Sequence, residues 1–163
     1  MSFDDLLASN ASYAATFDEG GFDGIAKAGV AMVTCMDSRI EPLRMLGLNL
    51  GDAKILRCPG GRVSNDILTG CVLSVQLLQV DRIMIVPHTR CAMASGTDAD
   101  IRNKIQQRTG IDTSWITFGA DQDVFGRLRR DVDMVRSHPL IAGQAEVGGF
   151  IYDVDTGLLT QHI

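Results

Sequence analysis

The chain has 163 residues, 45% of them hydrophobic and 21% charged, which fits one domain with a substantial core and excludes a disordered chain. Twenty acidic against 15 basic residues leave a formal net charge of −5, which argues against a nucleic-acid groove or an anionic membrane surface as partner. No apolar run reaches the length of a membrane span, and the acidic start Met1-Ser-Phe-Asp-Asp lacks the segments of a signal peptide. A cytoplasmic chain is expected, with its four cysteines as thiols or ligands and not disulfides.

In chain order, residues 2–18 place Phe3, Leu6, Leu7, Ala11, Ala14, Ala15 and Phe17 at helical spacing, and Ser2 with Asp5 has the form of a capping box. Gly20, Gly21 and Gly24 break the pattern. Residues 1–20 therefore read as a helical arm on a single domain spanning 1–163, free to pack on its own core or on a partner chain. Strands are expected at 29–35, 53–58, 82–87 and 114–118. Helices are expected at 40–46, with Glu41-Pro42 in its first turn, then from Ser64 or Asn65 to about 79, at 97–108 and at 122–137. Residues 148–160 read as a hairpin turning at Asp155-Thr156-Gly157. Alternating strands and helices imply an α/β fold with a mainly parallel sheet, to which the hairpin adds an antiparallel edge.

Two clusters carry chemistry, and each closes a buried strand. The first is Cys35-x-Asp37-x-Arg39, whose period of two presents a thiol, a carboxylate and a guanidinium to the same side. The second is His88-x-x-Cys91. If the two strands are neighbours, Cys35, His88 and Cys91 meet at the edge of the sheet where ligands bind. Two thiolates and an imidazole suit zinc, and three protein ligands leave a fourth position open, as in catalytic sites. Asp37 could accept a hydrogen bond from a water there or bind the metal itself, and Arg39 could hold Asp37 by paired hydrogen bonds. Without Cys35 beside them, the two would read equally well as a structural ion pair. Cys58 and Cys71 read as core residues, and His138 and His162 as helix-end or surface residues. Gly60-Gly61 reads as a tight turn in preference to an anion cradle served by Arg57 and Arg62, and no Walker loop is present.

Taken together, Cys35-Met-Asp-Ser-Arg39, Arg57-Cys-Pro-Gly-Gly-Arg62 and His88-Thr-Arg-Cys91-Ala-Met93 resemble the β-class carbonic anhydrases, in the compact form found in actinobacteria. The resemblance covers nearly the whole chain. It implies a four-stranded parallel core with an added antiparallel strand, one zinc per chain on Cys35, His88 and Cys91, and Asp37 with Arg39 as the catalytic dyad. It also implies a homodimer or dimer of dimers in which the N-terminal helix reaches over the partner. The activity implied is reversible hydration of carbon dioxide to bicarbonate and a proton. Two other readings remain open at this point: hydrolysis of carbonyl sulfide or carbon disulfide at the same site, and a non-catalytic zinc or bicarbonate-binding module. The chain departs from the family pattern at Cys58-Pro59, where Asn-Ala is frequent, and at Arg90 and Ala92, where an acid and a glycine are frequent. Arg90 is expected to add positive charge near the metal.

Overall fold

The computed structural model describes residues 2–163. Its sheet comprises β1 (Val30–Cys35), β2 (Ala53–Cys58), β3 (Arg82–Val86), β4 (Glu146–Tyr152) and β5 (Leu159–Gln161), in the order β2-β1-β3-β4-β5. β1 is buried along its whole length because it lies between two parallel partners, β2 and β3. Such a strand needs apolar residues on both faces, as Val30-Ala-Met-Val supplies. β3 pairs in parallel with β4, and β4 in turn pairs antiparallel with β5. The expected architecture holds, including the antiparallel edge and a turn over residues 153–157.

The helices are α1 (Asp4–Ala14), α2 (Pro42–Met45), α3 (Asn65–Leu77), α4 (Asp98–Thr109) and α5 (Val124–Arg136). Ser64 caps α3, and Thr97 with Asp100 forms a capping box on α4, which ends at Gly110 in the left-handed conformation. α3 and α5 cover one face of the sheet. Ile67 and Cys71 from α3 and Leu128, Val132 and Val135 from α5 pack there with Ala31, Val33, Ile83 and Ile85. Each fully buried Leu or Ile in such a layer contributes roughly 1.5–3 kcal/mol. The opposite face holds Met32, Ile40, Val86 and Tyr152, but Ile55, Met84, Phe150 and Leu159 beside them are only partly covered.

Three expectations are corrected. Residues 114–118 form no strand; the fourth parallel strand is β4, the first arm of the expected hairpin. Trp115 stands 78% exposed, and the segment's backbone is tied down by side chains instead of a ladder. Asp98 accepts from Phe118 N–H at 2.8 Å and Ala120 N–H at 2.7 Å. The Ser2–Asp5 capping box is also absent: Phe3 is the N-cap of α1, and Ser2 Oγ accepts from Asp4 N–H at 3.2 Å. The helical arm itself is present but shorter than 2–18, and none of its residues is buried.

Those N–H donors, that of Ala120 foremost, hold the Asp98 carboxyl below the usual carboxylate range. A lowered folded pKa means that the tether is fully present above about pH 4, the unfolded value, and is lost as pH falls through the lowered one. Asp98→Ala is expected to speed amide exchange across residues 111–123 about tenfold at pH 7, with strands β1–β4 unchanged. Hydrogen-exchange mass spectrometry checks this, and unchanged exchange in that segment would refute it.

Candidate metal centre

Parallel pairing in register brings the C-terminal ends of β1 and β3 together, with Thr34 opposite Val86. The chain then leaves β3 through Pro87 into His88. Thr34 Oγ1 caps the end of β3 by donating to Val86 O at 2.8 Å. The loop after His88 is stitched to β4 and the turn beyond it: Thr89 N–H donates to Tyr152 O at 2.9 Å, and Val154 N–H donates to Thr89 Oγ1 at 3.1 Å. Cys35, His88 and Cys91 are all buried, and their ligand atoms lie within 4.8 Å of one another.

The donor chemistry fits a metal. His88 Nδ1 lies 2.8 Å from Thr89 O, so it carries the proton and donates to that carbonyl. Nε2 is thereby left with its lone pair, buried and without a hydrogen-bond partner among the described residues. A buried nitrogen left in this state costs about 1–3 kcal/mol unless something occupies it. The Cys35 and Cys91 side chains are hydrogen-bonded to each other. The hydrogen bond between them holds the Cys35 thiol far below its ordinary value and pushes the Cys91 thiol above it, burial opposing the first shift and adding to the second. A divalent cation of thiolate and imidazole preference resolves both features at once. Cys71, by contrast, is pushed up to about 12 by burial alone and is a core thiol, as expected, whereas Cys58 is half-buried against the core and its Sγ donates to Arg62 O at 3.0 Å.

Asp37 sits beside this set, with Oδ2 at 3.8 Å from His88 Nε2. Arg39 clamps it: Nε donates to Oδ1 at 2.9 Å, Nη2 to Oδ2 at 2.8 Å, and the Arg39 backbone N–H to Oδ1 at 2.9 Å. This grip holds the Asp37 carboxyl well below the usual range, so it is ionised at any ordinary pH. Arg90 does not add free charge as expected. Its guanidinium pairs with Asp155, and its carbonyl accepts from Arg39 Nη2 at 3.3 Å.

Several residues that support the site are not visible as such in the sequence. Arg57, at the end of β2, donates to Cys35 O at 3.0 Å and Asp37 O at 2.6 Å and so fixes the chain between the two. Its register position opposite Thr34 is the available signal. The Gly60-Gly61 turn is the tight turn expected, but it also faces an anion. Gly60 N–H donates to Cys35 Sγ at 3.3 Å, and a Cβ on Gly61, at φ 62°, would stand 3.0 Å from Cys35 N. His138 is the helix-end residue expected, accepting from Leu140 N–H. His162 is exposed, as expected, yet it lines a cavity of about 650 Å³ together with His88, Cys91, Phe125 and Ile151. Its ring stands edge-on to Phe125.

A thiolate–imidazole donor set that could hold a metal ion, at the carboxyl edge of a parallel α/β sheet with a clamped carboxylate beside it, fits a class: α/β proteins with a metal centre. The family follows from comparison. The family model described as "Carbonic anhydrase" matches residues 30–159. The chain is 35% identical over 161 residues to "Beta-carbonic anhydrase 1" of Mycobacterium tuberculosis, covering 97% of this chain and 96% of the relative. It matches the crystal structure of a carbonic anhydrase from Streptococcus mutans with a TM-score of 0.89 and 34% identity, over 99% of this chain and 98% of that one. A "Carbon disulfide hydrolase" of Acidithiobacillus thiooxidans is 29% identical over 145 residues, 77% of this chain and 72% of the relative. The chain belongs to the β-carbonic anhydrases, a family of zinc lyases that hydrate carbon dioxide.

Proposed function

We propose that the chain interconverts carbon dioxide and bicarbonate, CO2 + H2O ⇌ HCO3⁻ + H⁺, with zinc held by Cys35 Sγ, His88 Nε2 and Cys91 Sγ. The observation that carries this reading is the convergence of these three donors beside an Arg39-clamped Asp37. Zinc, when bound, would supply Lewis acidity that lowers the pKa of water to about 7, so that a nucleophile is available at neutral pH. The remaining work falls to the chain's own groups. Asp37 Oδ2 accepts the proton of the attacking oxygen in a hydrogen bond and turns a lone pair toward the substrate carbon. Arg39 keeps Asp37 ionised and fixed in rotation. The apolar walls beside His88, including Phe125 and Ile151, admit a small linear apolar molecule and shed water. The clamped carboxylate within 4 Å of a ligand nitrogen also speaks against a non-catalytic binding module.

The relatives named as carbon disulfide hydrolases support a second reading, hydrolysis of CO2 isosteres at the same centre. The greater identity to the carbonic anhydrase relatives, over more of the chain, favours CO2. The expected result is stopped-flow hydration of CO2 well above background at pH 8 in the zinc-loaded protein, with sulfide release from carbonyl sulfide or carbon disulfide far slower. No hydration above background would sink the first reading, and the reverse ranking would establish the second.

The single domain with its arm over residues 1–20 assembles, in this reading, as a homodimer or a dimer of dimers in the cytoplasm. Support comes from α1, which leaves Phe3, Leu6, Leu7 and Tyr13 exposed, and from the partly covered second face of the sheet. The unpaired state of all four cysteines suits a reducing compartment. No helix among the described residues is long and apolar enough to cross a membrane.

A further inference from the structure

α5 carries an anomaly on its buried side. Among Leu128, Val132 and Val135, it also buries Arg127 and Asp131, at 6% and 7% exposure. The two lie one turn apart, yet no ion pair within 4 Å joins them. Each turns to the loop that follows β2. Asp131 Oδ2 accepts from Val63 N–H at 3.1 Å, and Arg127 Nη2 donates to Gly60 O at 3.1 Å. Gly60 is the residue whose N–H donates to Cys35 Sγ. The other end of the guanidinium, Nη1, is buried and has no hydrogen-bond partner among the described residues. It is aimed at the same glycine: a Cβ there would stand 3.4 Å from Nη1.

A buried cation without a hydrogen bond on one nitrogen is costly unless nearby negative charge compensates it. Across the Gly60 turn lies the Cys35 sulfur, which accepts from Gly60 N–H, and one turn along α5 lies Asp131. Zinc on two thiolates is neutral overall, but the sulfurs keep much of the negative charge, and a fixed cation beside them offsets it. We propose that Arg127 is a positioning residue of the metal centre. It holds the Gly60 turn against Cys35 and sets a buried positive charge beside the two thiolates. Burial pushes the Asp131 carboxyl up, while its contact with Val63 N–H and the Arg127 charge pull it down. This assignment rests on the zinc reading of Cys35, His88 and Cys91.

Two variants of the full chain test it. Arg127→Gln keeps a donor for Gly60 O but loses the charge; Arg127→Lys keeps the charge. Zinc affinity is read by competition with a chromophoric chelator. The energy of the thiolate-to-metal charge-transfer band is read in the cobalt(II)-substituted protein. Arg127→Gln is expected to fold, to bind zinc at least tenfold more weakly, and to shift the cobalt band, whereas Arg127→Lys stays within about threefold of the wild type with its band in place. The proposal is overturned if Arg127→Gln binds zinc within twofold of the wild type with an unmoved band. It is equally overturned if Arg127→Lys loses as much as Arg127→Gln, or if Arg127→Gln fails to fold, since Arg127 would then serve only the packing of α5. A wild type that binds no zinc would instead refute the site reading, so the two failures are distinct.

Discussion

Asp37→Asn is expected to lower kcat/KM for CO2 hydration about 100-fold while zinc stays at one per chain. The substitution is nearly isosteric, so the fold and the three ligands are left alone. What changes is the acceptor. Arg39 and its own backbone N–H direct three donors at the two carboxylate oxygens. An amide offers one oxygen and would turn its NH2 toward the other donors. The carboxylate's negative charge beside His88 Nε2 is lost as well. The pH profile adds a sign. Because Arg39 depresses the Asp37 pKa, the stability gained from that contact is present above about pH 4 and is lost only as pH falls through the lowered value. No limb of the activity profile between pH 6 and 9 should belong to Asp37, and the variant should show the wild-type shape at a lower plateau. Undiminished activity, or loss of zinc, would show that Asp37 does not orient the attacking oxygen. Arg39→Gln should follow with a smaller loss, about tenfold, because Asp37 then remains but is free to rotate.

The second large effect concerns the metal itself. His88→Ala is expected to reduce bound zinc from one per chain to near none and to abolish the rise in Tm that zinc produces in the wild type. Zinc at a thousandfold excess over its Kd stabilises a chain that binds it only when folded by about 4 kcal/mol. In a chain of this size that corresponds to roughly 10 °C or more. The metal-free proteins should differ far less. The wild type without zinc carries an unsatisfied buried Nε2, and the variant removes that burden even as it opens a cavity. Thermal melts of both proteins with zinc and with chelator measure the four values. Stoichiometric zinc in His88→Ala, or a wild-type Tm indifferent to zinc, would contradict the ligand set.

Much of this site can be read from the residues because its parts lie at the ends of strongly apolar strands. Val30-Ala-Met-Val and Ile83-Met-Ile-Val declare themselves as buried β-structure, and the polar residues that follow each run must then stand at the sheet's edge. The strand at β4 is harder to place. It starts at Glu146, two residues before the expected hairpin, and a Cβ on Gly149 would stand 3.0 Å from Val132 and 3.1 Å from Leu128. The glycine is there because α5 packs close against the strand, and close approach leaves no local sign. Trp115-Ile-Thr-Phe, conversely, has strand-forming residues, but β2 and β5 already occupy the edges of the sheet, and Asp98 claims the N–H groups of Phe118 and of Ala120 just beyond. The supporting hydrogen bonds are hidden for a different reason. Gly60 lies 25 positions from Cys35, and Arg127 lies 67 from Gly60. Only the folded chain brings a backbone N–H to a sulfur, or a guanidinium to that peptide.

The exposed loop around Trp115 has a practical consequence. It carries the chain's one tryptophan, whose indole is already in water, with only its Nε1–H engaged to Asp112 O at 3.2 Å. Its emission in the native state is therefore that of a hydrated chromophore, and little colour change remains for global unfolding to produce. A fluorescence melt would report the fraying of this loop, while loss of the sheet would pass almost unseen. Far-ultraviolet circular dichroism, or a tryptophan introduced on α5, is the appropriate optical probe for comparing the stabilities of wild type and variants.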